Sequence, residues 1–406
     1  MNQKVYQTQD RGNKKEYRQY LEAMDTISME KVASASVFFS PKEGNTIVDV
    51  GMASGTSTAI LAELFPKLNI IGVDINPRMV EIARTTYKQP NLSFREDDGE
   101  TLHTFGPGSV NGFFNCSSIH HITSYNGYDN NKAINTIPKQ IELLKNGGII
   151  VIRDFVKPEE KEVVIELSVK DKPDRPNDPE LLLRFSHEAR SLANPEEKGF
   201  PVREIPAIKP ATRRFRLFLS DATEFIRRKD YFENWEIELQ EEYGYFSQKE
   251  FEQLFHDLGL RIILSSPIYN RWIINNRYKG EFRLFNLNGG EIGYPPTNYL
   301  IAGEKISASE GKHISLIRHL PHQEKPFLAY SSHKNKETNK IYDLVSRPNE
   351  VTDILPYWKK NDEVFILAKA GYPRPLAAVE NDNPIIDGKR TSGYINECLT
   401  IGVDQD

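Results

Sequence analysis

Three sets of side chains have the types and spacing to do chemistry. The first is the run Asp49-Val50-Gly51-Met52-Ala53-Ser54-Gly55-Thr56. A chain that reverses tightly between a buried strand and a helix needs small residues, because a Cβ there would block a ligand lying against the backbone. Gly51, Ala53 and Gly55 meet that need. The second is Asp74, 25 residues beyond Asp49 at the close of the next apolar run. A carboxylate in that place can accept hydrogen bonds from the two ribose hydroxyls of a nucleoside. The third is the pair His120-His121, with Asp154 farther along. Neutral imidazole is the default proton acceptor near pH 7, although such histidines serve equally well as helix-start or packing residues, and Asp154 as a structural cap.

These residues sit on elements whose pattern is plain. IVDV at 47–50, NIIGVD at 69–74, LSFRED at 92–97, VNGFFNCSS at 110–118 and GIIVIRDF at 148–155 read as strands. STAILAELF and the stretch carrying Met79, Val80, Ile82 and Ala83 read as the helices between them, the second capped by Asn76 with Pro77 at its first position. Residues 131–145 carry Ile134, Ile137, Ile141 and Leu144 at helical spacing, with Pro138 expected to kink or restart that helix before Gly147 and Gly148 end it. Repeated strand–helix units predict an α/β fold, a Rossmann-like doubly wound and mostly parallel sheet that binds ligands beyond the carboxyl ends of its strands.

After Val156 the rhythm breaks. Residues 157–246 read as a helical insertion, a lid, with helix-like stretches near 178–193 and 216–229. Sheet grammar resumes where Ser247 caps QKEFEQLFHDLG, followed by LRIILSSPI and NYLIAGEKI as the last two strands. The first domain thus spans 46–306 after an N-terminal helical segment at 1–45, SASEGKH at 307–313 is a linker, and 313–406 is a smaller β-rich unit with strand-like runs at 362–369 and 375–379.

Composition narrows the function classes. The 406 residues hold 52 basic and 57 acidic side chains for a net charge of -5, which points to no nucleic-acid partner. Cys116 and Cys398 are too few and too far apart for a disulfide framework or a cysteine metal site, and no metal-ligand set stands out in the sequence. The first 25 residues lack the apolar core of a secretory signal, and no window approaches the ~18 apolar residues of a membrane helix. A cytoplasmic protein without a membrane partner is expected.

Taken together, the chain resembles a class I S-adenosylmethionine-dependent methyltransferase. IVDVGMASGTSTAIL is similar to that family's Asp-x-Gly-x-Gly-x-Gly loop, IIGVDINPRMVEIAR to its ribose-binding strand, FREDDGETL to its adenine-contacting segment, NGFFNCSSIHHI to its fourth strand and LLKNGGIIVIRDF to the approach to its fifth. The resemblance covers 46–156 well and 247–306 loosely, with Ala53 and Asn146 departing from the usual residues. It implies S-adenosyl-L-methionine as cofactor, with Gly51, Ala53 and Gly55 against the amino acid moiety, Asp49 orienting the loop and Asp74 with Ile75 at the ribose. Asp98 and Gly99 would lie at the adenine edge, although the doubled Asp97-Asp98 leaves that register open by one residue. Asn115 and Ser117 would face the methionine part and the substrate.

Methyl transfer from a sulfonium is an in-line displacement assisted mostly by positioning, so cofactor residues do not identify the acceptor. A small-molecule substrate suits a lidded site. The insertion's Arg213, Arg214, Arg216, Arg227, Arg228 and Lys229 stand among aromatics, but the acidic run ENWEIELQEEYGYF that follows predicts ion pairing rather than a phosphate-binding surface. Two other readings remain: a non-catalytic S-adenosylmethionine-binding sensor or partner subunit, and a nicotinamide oxidoreductase. The second is weakened because Ala53 and Thr56 break the Gly-x-Gly-x-x-Gly pattern. In the tail, DEVFILAKAGYPRPLAAV and IDGKRTSGYINE resemble the opening strands of a Nudix hydrolase, without that family's metal-binding box.

Overall fold

The computed structural model describes residues 27–306 with their side chains and, within 307–406, the backbone of the strands alone. The chain divides into two units, Met1–Lys305 and Ile306–Asp406.

In the first unit the order is α1 (Ser28–Ser36), β1 (Thr46–Val50), α2 (Thr56–Leu64), β2 (Asn69–Asp74), α3 (Pro77–Thr86), β3 (Leu92–Glu96), β4 (Val110–Cys116), α4 (Ile119–Ser124), α5 (Asn131–Leu143) and β5 (Leu144–Asp154). After the insertion come α8 (Gln248–Asp257), β9 (Leu260–Ile268) and β12 (Asn298–Lys305). These strands form one seven-stranded sheet in the order β3-β2-β1-β4-β5-β12-β9. β1, β2, β3, β4 and β5 pair in parallel, and β12 runs antiparallel to both β5 and β9. The fold is α/β, Rossmann-like and doubly wound, as the strand–helix rhythm predicts. The order reverses between β1 and β4, and a crevice outside the carboxyl ends of those strands is where such sheets take ligands.

Each sheet face has its own core because strand side chains alternate. Val48, Val50, Val73, Phe113, Ile150 and Ile152 pack with Ile137 and Ile141 of α5 and Phe251 and Phe255 of α8. Ile47, Ile70, Phe114, Ile149 and Val151 pack with Val32 of α1 and Leu61 of α2. The side chain of Asn76 accepts the N–H of Arg78 at the start of α3, and Ser247 with Glu250 closes a capping box on α8, both as the sequence predicts. Pro138 neither breaks nor restarts α5, which is one helix from Asn131 to Leu143 and stops four residues before Gly147.

The insertion is helical only in part. It holds β6 (Glu162–Ser168), α6 (Asp178–Glu188), β7 (Arg203–Ile205), β8 (Thr212–Phe218) and α7 (Leu219–Arg228). Together with β10 (Phe282–Phe285) and β11 (Glu291–Ile292) it forms a second, antiparallel sheet in the order β11-β10-β6-β8-β7. The reason is a period of two: Val163, Ile165 and Leu167 and, opposite them, Phe215 and Leu217 point into a core shared with α6 and α7. The expected helix near 216–229 therefore begins three residues late, its first residues being strand.

In the second unit Ile314–Leu320, Ala329–Asn335 and Ile341–Ser346 form an antiparallel three-stranded sheet, and Tyr357–Lys360 pairs with Glu363–Ile366. Residues 1–26 of the expected N-terminal helical segment, the linker at 307–313, the run at 375–379 and most of the Nudix-like stretch lie outside the described residues.

Candidate functional site

Beyond β1 the backbone turns through three left-handed positions, with φ +75° at Gly51, +50° at Ala53 and +83° at Gly55. That region costs a residue with a Cβ ~1–2 kcal/mol, so the two glycines have a conformational reason to be there and Ala53 sits there at a cost. A Cβ on Gly51 would lie 2.8 Å from the Cβ of Ser118, and one on Gly55 would lie 2.8 Å from the Cβ of Ala83. Backbone conformation and the protein's own packing thus demand these glycines before any ligand does. Asp49 lies buried behind the loop, accepts the Thr58 hydroxyl at 2.7 Å and so ties β1 to α2. Burial pushes its carboxyl up to about 7, against the lowering effect of Thr58, and the neighbouring charge of Asp74 adds to the rise.

Asp74 closes β2 and bridges two turns. One oxygen accepts the N–H of Ala53 at 2.9 Å and the other accepts that of Asn76 at 2.9 Å. Each oxygen keeps a lone pair for a further donor. Burial raises this carboxyl to about 6, opposed by the two backbone N–H bonds and by His121. Ile75 follows it, partly exposed.

The doubled aspartate resolves into two jobs. Asp97 is buried and accepts from the backbone N–H groups of Asp98, His103 and Thr104, from the Thr104 hydroxyl and from His103 Nδ1 at 2.6 Å. It organises the loop. Asp98 is partly exposed, with one oxygen accepting the N–H of Glu100, and burial raises its pKa. Gly99 packs so closely that a Cβ would come within 3.1 Å of Val50, which brings the β3 loop against the end of β1.

At the end of β4 the side chain of Asn115 departs from expectation. It is buried on the sheet face shared with Phe113, and its amide exchanges two 2.8 Å hydrogen bonds with Gln140 of α5. Its polar ends are turned to α5 rather than offered to a methionine moiety. Ser117 is partly exposed at φ +53°, its N–H donated to Arg153 O at 2.8 Å. The residue that sequence reasoning missed is Ser118. Its hydroxyl is buried beside Gly51 and has no hydrogen-bond partner among the described residues. A native protein seldom leaves such a group unsatisfied unless a ligand or water completes it.

The acid–base candidates come together. Asp154 is buried at the end of β5 and accepts the His120 N–H at 3.2 Å, the Tyr245 hydroxyl at 3.2 Å and His120 Nδ1 at 2.7 Å. An ionised carboxylate only accepts, so Nδ1 carries a proton and Nε2 is the ring nitrogen turned toward Glu241. Burial and the neighbouring carboxylate hold the Tyr245 phenol far above its usual range, as a donor. His120 packs edge-on to Phe155 and Tyr243, themselves stacked at 4.1 Å. His121 is half-buried and lies close enough to Asp74 to lower its pKa, which joins this cluster to the turn that closes β2. Across from both histidines stands Glu241, on the strap 239–246 by which the chain leaves the insertion. The strap is stitched to α4 and to the turn beyond it: Glu242 donates its N–H to Ser124 Oγ at 2.8 Å, and Tyr128 donates to Gln240 O at 2.9 Å.

The insertion's cations are used internally. Arg213, Arg214 and Arg216 pair with Glu204, Glu166 and Glu162, Arg228 pairs with Glu224, and Lys229 with Asp230. Arg227 donates to Val156 O and Pro296 O and lies over the Phe155 ring. A cavity of about 810 Å³ opens in the insertion beside Arg190, Asp221, Glu224 and Glu242, and none of the residues expected from the sequence to meet a cofactor lines it.

Residues 47–148 match the family described as methyltransferase domain, and the class I methyltransferase resemblance falls on that segment. The chain is 30% identical over 139 residues to O-methyltransferase cnsE of Penicillium expansum, covering 33% of this chain and 47% of that one. It is 27% identical over 116 residues to a demethylmenaquinone methyltransferase of Tropheryma whipplei, covering 28% and 44% respectively. The chain therefore spans less than half the length of these relatives. Among solved structures it is similar to the YcgJ protein of Bacillus subtilis, at 17% identity and a TM-score of 0.39 over 69% of this chain and 100% of that one. No helix among the described residues is long and apolar enough to cross a membrane.

Proposed function

We propose that this protein is an S-adenosylmethionine-dependent methyltransferase acting on a small-molecule acceptor. One observation carries the reading: Asp74 holds the turns after β1 and β2 together and still keeps a lone pair on each oxygen, beside the left-handed loop of Gly51, Ala53 and Gly55. That is a cradle for a ribose with an amino acid chain beside it. Asp98 and Gly99 stand at the base end, Ile75 beside the sugar, and Ser117 with the unpartnered Ser118 hydroxyl at the sulfur end. Asn115 is left out, because its amide is spent on Gln140.

When bound, the cofactor supplies an activated methyl group. Asp74 and the loop of Gly51, Ala53 and Gly55 would hold the cofactor, and the acceptor's lone pair would take that methyl group. The chain positions the acceptor and keeps water away. We place His120 and His121 on the acceptor side, with Asp154 as a positioning residue that fixes the His120 tautomer.

The test is turnover. The full chain is given methyl-labelled S-adenosylmethionine and a small-molecule extract, and S-adenosylhomocysteine and labelled product are measured. Stoichiometric label transfer, cut at least tenfold by Asp74→Asn, is the expected result. Cofactor binding with no transfer would favour a sensor, and tighter binding of NAD(H) than of S-adenosylmethionine would overturn the assignment.

A further inference from the structure

We propose that His120, His121 and Glu241 form a site for one divalent transition-metal cation at the acceptor side of the crevice. Each of the three offers a ligand atom, and these atoms all lie within 4.8 Å of one another. His121 Nδ1 is 3.4 Å from Glu241 Oε1, and His120 Nε2 is 4.0 Å from Glu241 Oε2. The first separation is that of two ligands on a cation at ~2.1 Å from each. The second is too long for a hydrogen bond, and it sets the other ring nitrogen of His120 opposite a carboxylate oxygen. A cation between them takes one ligand atom from each after a side-chain adjustment of about 1 Å.

The surroundings are those of a ligand set. Asp154 accepts the Nδ1 proton of His120 at 2.7 Å, the carboxylate–histidine pairing that turns the other nitrogen toward a metal. Tyr125 donates its hydroxyl to Glu241 at 3.0 Å and its ring stacks on His121, so the carboxylate and the second imidazole are both held in place. His120 and Glu241 are only 2% exposed, whereas the His121 side chain is 24% exposed, so the cluster opens on one side. Two imidazoles and one carboxylate suit borderline cations such as zinc, iron(II), cobalt(II) or manganese(II), and three protein ligands leave a position for a substrate oxygen.

The cation's role rests on the methyl-transfer reading, while the site itself does not. An acceptor hydroxyl or enol held by the cation loses its proton to solvent more readily. Its oxygen lone pair then forms the C–O bond as the C–S bond breaks. The acceptor class that follows is an oxygen nucleophile, phenolic or enolic by preference, since its charge is the more easily stabilised.

Metal-stripped full-length protein is titrated with zinc chloride by calorimetry and with cobalt(II) chloride by visible absorption, and each sample is also titrated with S-adenosylhomocysteine. We expect one cation per chain, cobalt bands of a nitrogen–oxygen site, and affinity at least 100-fold weaker in Glu241→Gln and His121→Ala, which still bind S-adenosylhomocysteine. S-adenosylhomocysteine binding without stoichiometric cation binding by the parent protein overturns the metal site alone. Cation affinity unchanged in either folded variant overturns it too. A parent protein that binds the cation and not S-adenosylhomocysteine overturns the cofactor reading and leaves the site standing.

Discussion

The pH dependence of cofactor affinity is the sharpest consequence of the geometry at Asp74. Its carboxyl is raised to about 6 in the free protein, chiefly because burial strips its hydration. Ribose hydroxyls donate to the ionised form, so below that value binding has to expel a proton. If the bound carboxylate stays ionised, the dissociation constant scales as one plus the ratio of protonated to ionised Asp74. The constant is then nearly flat above pH 7, about twofold weaker at pH 6 and about tenfold weaker at pH 5, or ~1.4 kcal/mol. S-adenosylhomocysteine is the ligand of choice, because none of its groups titrates in that range in place of the protein's. Calorimetry at pH 8, 7, 6 and 5, in two buffers of different ionisation enthalpy, reads both the constant and the proton. About one proton should be released per ligand at pH 5 and almost none at pH 8. Asp74→Asn should lower affinity at pH 8 by about 10–100-fold, the range for hydrogen bonds to a charged group, and should flatten the profile. Affinity that stays constant to pH 5, or an Asn variant that keeps the parent's slope, would refute the argument that this carboxylate holds the sugar.

Two further outcomes follow from buried polar groups. Asp49 has a raised pKa, so the folded state holds its proton more tightly than the unfolded chain, and stability from this group falls as pH rises from about 4 to about 7. Asp49→Asn removes the charge, and its stability relative to the parent should improve by ~2–4 kcal/mol between pH 4 and pH 8, read by urea unfolding; an equal difference at both values counts against it. Asn115→Leu strands the buried Gln140 amide and should cost ~1–3 kcal/mol, part of it recovered in Asn115→Leu/Gln140→Leu, with S-adenosylhomocysteine affinity changed less than twofold. A tenfold loss of affinity in the folded double variant would return Asn115 to the cofactor.

Much of the first unit was legible along the chain. β1, β2, β9 and β12 fall where the apolar runs place them, and the caps at Asn76 and Ser247 are made by the predicted side chains. Such features depend on a residue and neighbours within about four positions, and a periodicity or a capping box is written at that range. The insertion is less legible because its charges overlie the apolar alternation. The alternation of Arg214 and Arg216 with Phe215 and Leu217 is a strand pattern hidden under ion pairs. The doubled aspartate could not be settled locally either, since what separates Asp97 from Asp98 is that the chain curls back to aim the N–H groups of His103 and Thr104 at the first of them.

The sequence by itself determined the strand–helix order of the first sheet and the loops that follow its strands. Tertiary structure alone decided which groups converge. Asn115 meets Gln140 because β4 presents that face to α5, and Glu241 meets His120 and His121 because the strap leaving the insertion is tied to α4. The physical reason is one of range. Local propensity is set by steric and hydrogen-bonding contacts between residues near in sequence, whereas a cluster drawn from positions 120, 121 and 241 exists only after burial of two separate cores has fixed where each element lies.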